Sequence, residues 1–386
     1  MQSALILPNP LLDQIAKAIH AAGGWLGFDA FMHLALYAPG LGYYANAGTK
    51  FGVLPQSKGG HISDFATAPE MTSLFGQTLA NQVAQALQGT QTDEVFEFGA
   101  GTGALAAQIL GALDAQGVPW TRYTIIDVSG SLRARQQQRL LPWGNKVQWA
   151  ERWPTAMRGV VLGNEVLDAM PVQLLVRKAG HWFERGVAID KVSEDNFKEE
   201  DGGTLVWQDR PTSLRPPVEI PGQHDYLTEI HLQSEAFVRS LAQHLEQGIA
   251  FLLDYGFPES EFYHPQRHMG TLMCHRAHLA DTDPLQDPGQ KDITAHVNFS
   301  GIALAAQDAG MDVLGYCTQA RFLMNCGILK LLENASLQDK SMAQKLLLEH
   351  EMGEFFKAIA LAKSGGKTRH DWHPLGFAQG DRTHTL

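Results

Sequence analysis

The run Asp93-Glu-Val-Phe-Glu-Phe-Gly-Ala-Gly-Thr-Gly103 constrains this chain more than any other segment. Apolar residues interleaved with acids lead up to Phe98. Glycines then fall at every second position, and Ala104-Leu-Ala-Ala-Gln-Ile-Leu110 follows. The pattern predicts a strand, a tight glycine turn and a helix. Glycine lets a ligand approach the backbone closely, and the first N–H groups of the helix then face it. The segment therefore predicts a site for a nucleoside-type cofactor.

Two acids bear on which cofactor that is. Glu97 lies two residues before Gly99, where a carboxylate can meet a cationic or hydroxylated ligand. The next predicted strand ends at Asp127, and an acid there suits the two hydroxyls of a ribose. The spacing Gly99-x-Gly101-x-x-Ala104 also fits a dinucleotide fingerprint, so NAD stays open. S-adenosylmethionine (SAM) carries a sulfonium and an ammonium but no phosphate, so an acid-bordered loop suits it better. Gly99, Gly101 and Gly103 are the expected cradle, and Asp127 the expected ribose partner.

The 386 residues, 44% hydrophobic and 18% charged, describe an ordinary globular protein with a large core. A net charge of −11 disfavours nonspecific binding to nucleic acid or an anionic membrane. Cys274, Cys317 and Cys326 are widely spaced, which implies no disulfide framework and a reducing compartment. The first ten residues match neither a signal peptide nor an Arg-rich transit peptide, and no apolar run is long enough to span a membrane. The expected location is the cytoplasm.

Helical patterns cover Pro10 to Ala22, Phe28 to Leu36 and about Thr72 to Gln88. Core strands are expected at Glu94–Phe98, Tyr123–Val128, Val147–Ala150, Gly159–Gly163, Gly248–Tyr255 and, last, Asp312–Thr318. Between the fourth and fifth, the runs Gln173–Arg177, Trp182–Ile189 and Thr204–Trp207 read as a β-rich insertion. A proline-rich connector follows at Pro211–Pro221. Helices are expected at Glu229–Glu246, Phe299–Gly310 and from about Arg321 to Lys363. Pro258 to Asn298 reads as a long loop with one strand candidate, Thr271–His275. Ser364 to Leu386 reads as a polar, loosely packed tail. Alternating β and α elements imply a mainly parallel sheet with helices on both faces, and ligands beyond the C-terminal ends of its strands.

That edge also receives Gly163-Asn-Glu-Val-Leu-Asp-Ala-Met-Pro-Val172. Glu165 and Asp168 would share a face if this were one helical turn, stopped by Pro171. With Asn164 they could hold a cationic or N–H-bearing substrate. Alternatively, Asn164 and Asp168 simply cap a helix start. Other residues invite less. Cys274, His275 and His278, with His264 and His268 nearby, lack the paired spacing of a structural zinc site, and a loop rich in surface histidines explains them. His296 could line the cleft or be a hydrogen-bonded structural histidine. Arg133 and Gln136 share a helix face, with a surface or core-edge role expected and an adenosine contact the lesser option.

Several motifs in order carry a resemblance. They are Gly42-Tyr-Tyr44, Asp64-Phe-x-Thr-x-Pro-Glu70, Leu74-Phe-Gly-Gln77, the Glu97–Gly103 loop, Leu132-Arg-x-x-Gln136, Asn164-Glu-x-x-Asp-Ala-x-Pro-Val172 and Asp254-Tyr-Gly256. Asp292-Ile-Thr-Ala-His-Val-Asn-Phe299, Gln319-x-x-Phe-Leu323 and Met352-Gly-x-x-Phe-Lys357 complete the set. Together they resemble the MidA family of SAM-dependent methyltransferases, whose mitochondrial members are complex I assembly-factor arginine methyltransferases. Two positions depart from it: Ser63 stands where glycine is expected and Asp127 where glutamate is usual.

The resemblance implies a class I methyltransferase, an α/β fold with a Rossmann-like, mainly parallel seven-stranded sheet. It implies N-terminal helices over 1–90, a core of 91–173 and 229–320, an inserted β-rich subdomain of 174–228, and a C-terminal helical region and tail over 321–386. It also implies methyl transfer to a protein arginine, and it adds Thr67, Pro69 and Glu70 as a segment closing over the cofactor. The catalytic candidates are Glu165 and Asp168, which could clamp a guanidinium fork bidentately, with Asn164 orienting. No metal is expected, because methyl transfer from a sulfonium is an in-line displacement governed by positioning. The competing functions are a noncatalytic SAM-binding assembly factor and an NAD-dependent oxidoreductase.

Overall fold

The computed structural model describes residues 9–46, 67–127, 130–190, 203–276, 279–364 and 372–386. The chain forms two compact units. One comprises Met1–Gly48, Pro171–Leu232 and Tyr263–Ala295; the other comprises Thr49–Met170, Gln233–Phe262 and His296–Leu386.

The second unit is built on a sheet of seven main strands: β1 (Glu94–Phe98), β2 (Arg122–Ile126), β3 (Val147–Ala150), β4 (Met157–Asn164), β5 (Leu245–Phe257), β6 (Asp312–Thr318) and β7 (Phe356–Lys363). Their spatial order is β6-β7-β5-β4-β1-β2-β3, and the two-residue strand Val297–Asn298 adds beside the end of β5. Pairs β1–β2, β2–β3, β1–β4 and β4–β5 are parallel, and β7 is antiparallel to both of its neighbours. Side chains alternate across a strand, so adjacent residues of one strand serve two cores. Val95, Val160 and Ile249 pack on one face with α1 (Leu74–Thr90) and α2 (Ala104–Ala115). Phe96, Val161 and Ala250 pack on the other, against Val238 and Leu241 of a helix at Leu232–His244 and Ile302 and Ala306 of a helix at Phe299–Asp308. A further helix, Gly130–Arg139, follows β2.

Three expectations change here. The segment ending at Lys363 is not helical throughout, since its last eight residues are β7. Phe356-Lys-Ala-Ile-Ala-Leu-Ala-Lys363 is rich in good helix formers, yet lying between two strands satisfies its backbone on both sides and buries it from Phe356 to Ala362. Helix is also not continuous over Glu229–Glu246: Tyr226–Ile230 is a strand, the helix spans Leu232–His244, and β5 begins at Leu245. The described part of the tail, 372–386, is packed rather than loose. Phe377 is buried against Phe322 with ring centroids 5.3 Å apart, and Gln82, Gln85 and Asn325 bond its backbone.

In the first unit, Gln173–Lys178, His181–Ile189, Leu205–Pro211 and Tyr226–Ile230 form an antiparallel sheet with Leu26–Gly27. Helices Pro10–Ala21 and Phe28–Tyr37 bury Ile15, Ile19, Phe28, Phe31 and Met32 in a core with Leu174 and Val187. The segment expected as a long loop holds a three-stranded sheet, Met273–Arg276, Leu279–Asp281 and Asp292–Thr294. Tyr44 donates to both carboxylate oxygens of buried Asp292, at 2.8 and 2.9 Å, which ties two of the sequence motifs together.

Candidate active site

Strand register brings the predicted residues to one edge. Phe98 lies opposite Ile126 on one side and Gly163 on the other, and Leu253 lies opposite Asn164. Gly99, Asp127, the Asn164–Asp168 segment and Asp254–Tyr255 therefore all lie at the same end of the sheet. From β1 the chain continues to β2 and β3 on one side and to β4 and β5 on the other. The loops after β1 and β4 flank the resulting switch point, where open α/β sheets bind ligands.

The glycine turn has the conformation its sequence requires. Gly99, Gly101 and Gly103 have φ of 63°, 52° and 80°, the left-handed region that other L-residues reach only with strain. A Cβ on Gly101 would meet nothing within 4 Å among the described residues, so the loop presents open backbone to them there, whereas one on Gly99 would come 3.1 Å from Val166 Cγ2. Gly103 caps α2 without a side-chain bond, leaving backbone N–H groups for a ligand. These features fit a cofactor lying against the backbone.

Glu97 does not line the turn with a free carboxylate. It is buried on β1 and accepts from Tyr123 Oη at 2.7 Å. Burial pushes its pKa up to about 8, against the Tyr123 hydrogen bond and with a further push from Asp127. Asp127 accepts from Gln136 Nε2 at 2.9 Å; the same nitrogen donates to Gly101 O at 2.9 Å, and Trp149 Nε1 donates to Gln136 Oε1 at 2.9 Å. Gln136 is fully buried. Expected at the surface or core edge, it is instead the crosslink between the glycine turn and Asp127. Arg133 turns to Glu151 at 2.7 Å on the exposed side.

Thr67 precedes the short helix Ala68–Met71, which contains Pro69 and Glu70. Gln108 of α2 holds this segment, donating to Pro69 O at 2.7 Å and accepting from Gly76 N at 3.0 Å. Glu70 is hydrogen-bonded by Thr102 of the glycine turn and paired with Arg139 at 3.2 Å. The Ser63–Ala66 part of this motif lies outside the described residues.

The Asn164–Asp168 segment is a non-helical turn, contrary to the helical turn considered from spacing. Glu165 has φ 54°, a strained value for a non-glycine residue, and its N–H bonds Leu253 O at 2.9 Å. Nor do Asn164 and Asp168 cap it. Asp254, fully buried at the end of the neighbouring strand, accepts through Oδ2 from the backbone N–H of Val166, Leu167 and Asp168 at 3.1, 2.8 and 3.2 Å. Burial, then the charges of Asp168 and Glu165, push the Asp254 carboxyl well above its usual range, opposed by those N–H donors. Nothing local to the 164–168 segment announces this distant cap. Asn164 Nδ2 donates to Glu165 Oε1 at 2.9 Å, while Asn164 Oδ1 and Asp168 Oδ1 are buried acceptors with no partner among the described residues. Burial raises the Asp168 pKa to about 6, against hydrogen bonds from Tyr255 and the Ala169 backbone.

His296 lies at the same end, its ring 5.1 Å from Tyr255 and 5.2 Å from Phe257. Cys274 is buried in the core of the other unit and His275 pairs with Ala280 in a strand ladder, while His264 and His268 are exposed. His278 lies outside the described residues, among which no group of three or more His, Cys, Asp or Glu could hold a metal ion. No helix among the described residues is long and apolar enough to cross a membrane.

A seven-stranded sheet with one antiparallel strand, a left-handed glycine turn after β1 and an acid after β2 define a class I SAM-dependent methyltransferase. A family model of S-adenosyl-L-methionine-dependent methyltransferases matches residues 78–317. A crystal structure of a COG1565 superfamily member from Burkholderia thailandensis, bound to S-adenosyl-homocysteine, is 45% identical and covers 99% of this chain and 100% of its own, with a TM-score of 0.88. The mitochondrial protein arginine methyltransferase NDUFAF7 homolog of Drosophila melanogaster is 27% identical, over 94% of this chain and 88% of its own length. Human NDUFAF7, of the same description, is 26% identical over 92% of this chain and 83% of its own. The chain belongs to the MidA family of SAM-dependent methyltransferases.

Proposed function

We propose that this methyltransferase modifies an arginine side chain of a protein substrate, with Glu165 and Asp168 holding the guanidinium and Asn164 orienting it. The observation that carries this reading is the pair of buried acceptor oxygens, Asn164 Oδ1 and Asp168 Oδ1, that find no donor among the described residues. Buried acceptors are costly to leave unpaired, and a guanidinium offers five N–H donors in a planar fork. Three nearby acids, Glu165, Asp168 and Asp254, favour a cation. The distant relatives described as protein arginine methyltransferases agree with the assignment.

SAM supplies a sulfonium-bound methyl, whose C–S electron pair stays on sulfur as the methyl leaves. The acceptor nitrogen forms the new C–N bond and gives up one proton, for which an ionised carboxylate of the subsite is the acceptor. The protein's main contribution is alignment. Gly99, Gly101 and Gly103 present backbone to the methionine portion, and Asp127, fixed by Gln136, takes the ribose hydroxyls. Glu97 supports the turn from within the sheet, and Thr67, Pro69 and Glu70 border the cofactor.

Glu165→Gln tests the clamp. S-adenosyl-homocysteine should bind as in wild type, by calorimetry, while transfer of radiolabelled methyl to proteins of a lysate falls about a hundredfold, the scale of losing a charge-stabilising contact in the transition state. Undiminished transfer would sink the clamp. Asp127→Ala should instead weaken S-adenosyl-homocysteine binding by about tenfold or more, as expected for a lost hydrogen-bonding carboxylate; an unaltered dissociation constant refutes the ribose assignment.

A further inference from the structure

Tyr255 follows Asp254 on β5 and is half-buried. Its hydroxyl hydrogen-bonds to the Asp168 carboxylate, whose Oδ1 has no hydrogen-bond partner among the described residues. The Tyr255 ring meets His296 edge-on, with centroids 5.1 Å apart and planes at 80°, and Phe356 at 5.3 Å and 65°. Phe257 supports His296 at 5.2 Å. An aromatic group thus stands directly beside the carboxylate trio and is bonded to one member of it.

We propose that Tyr255 positions the acceptor and sets its specificity: its hydroxyl fixes the Asp168 carboxylate so that Oδ1 is offered to the substrate, and its braced ring forms a flat wall that favours a planar guanidinium over a tetrahedral ammonium. The proposal rests on the arginine reading above. A guanidinium can stack on an aromatic face while its edge N–H groups reach a carboxylate in the same plane, and an ammonium cannot use the flat surface in that way. A tyrosine retained for packing alone would be replaced by phenylalanine without consequence. The hydroxyl's bond to Asp168 makes the two substitutions differ.

The test uses the full chain saturated with S-adenosyl-homocysteine and two probes, ethylguanidinium and butylammonium, titrated by NMR from about pH 5 to 8, the range spanning a raised carboxylate pKa. In wild type, ethylguanidinium is expected to bind more tightly than butylammonium. Binding should be present above the Asp168 pKa of about 6 and lost as pH falls through it, because only the ionised carboxylate attracts the cation. Glu165 and Asp254 are the charged neighbours of Asp168, His296 flanks the Tyr255 ring, and Lys357 lies over Phe257 beyond it. Tyr255→Phe keeps the ring and should lower ethylguanidinium affinity about tenfold, the scale of a hydrogen bond to a charged group. It should also move the pH midpoint upward, since that bond favours the ionised form, with S-adenosyl-homocysteine affinity unchanged. Tyr255→Leu should in addition erase the preference for ethylguanidinium. Equal affinity and an equal midpoint in Tyr255→Phe overturn the role of Tyr255 alone. A wild type with no preference for ethylguanidinium overturns the arginine reading and this role together.

Discussion

Asp254→Ala is expected to abolish methyl transfer and to lower the unfolding free energy by roughly 3 kcal/mol or more, because it orphans three N–H groups at about 1–3 kcal/mol each where buried. The carboxylate reaches from β5 to the N–H groups of Val166, Leu167 and Asp168, and it is the anchor those three share. Without it the turn has little reason to keep Glu165 in a left-handed conformation. The acceptor subsite would then lose its geometry even in molecules that stay folded. Asp254→Asn separates charge from hydrogen bonding. Its amide oxygen can still accept, and removing a charge beside Glu165 and Asp168 relieves repulsion, so a much smaller loss of stability is expected. Chemical denaturation with a parallel radiolabelled transfer assay measures both. An alanine variant as stable and active as wild type would remove Asp254 from the account of the site.

Gly159→Ala should severely disrupt folding, because it adds a methyl where two strands of the sheet pair closely. Gly159 lies in β4 opposite Glu94 of β1 and Gly248 of β5. A Cβ there would stand 2.1 Å from Glu94 O, in backbone that cannot move without opening the ladder. Overpacking of a well-packed core costs about 1–3 kcal/mol when side chains can adjust, so a clash with strand backbone should exceed that range. Little soluble, folded protein is expected. Gly111→Ala is the matched control: it lies in α2, and an added Cβ meets nothing within 4 Å among the described residues. A gain of about 0.5–1 kcal/mol is expected there, from replacing glycine within a helix. Thermal unfolding of the soluble fractions compares the two; a Gly159→Ala protein with a wild-type melting temperature would contradict the pairing of β1 with β4 in this register.

The parts of the fold that were legible in sequence are those whose signal is local. Glu94–Phe98, Val147–Ala150 and Asp312–Thr318 form strands with the bounds expected from short apolar runs between turns or helices. The glycine turn was legible because alternating glycines before a helix-forming run have few other uses. β7 was not, because alanine-rich Phe356–Lys363 becomes a strand only when β5 and β6 flank it. The strand Tyr226–Ile230 was hidden for the same reason: its partner, Gln173–Lys178, is far away in sequence. Described parts of the tail looked loose because a polar composition does not reveal that Phe377 has a pocket beside Phe322.

The site divides along the same line. The sequence by itself determined the residue types at the sheet edge: three glycines, the acid after β2, and the Asn164, Glu165 and Asp168 group. It did so because a strand that ends in a turn delivers those residues to the edge whatever surrounds them. Only the tertiary structure decided their states. It put Glu97 inside the sheet on Tyr123, made Gln136 the link between Gly101 and Asp127, and gave the cap of the acidic turn to Asp254. Burial, a hydrogen-bond partner and a neighbouring charge are set by residues distant in sequence, and these three decide whether a carboxylate is an anchor or is left to meet a substrate.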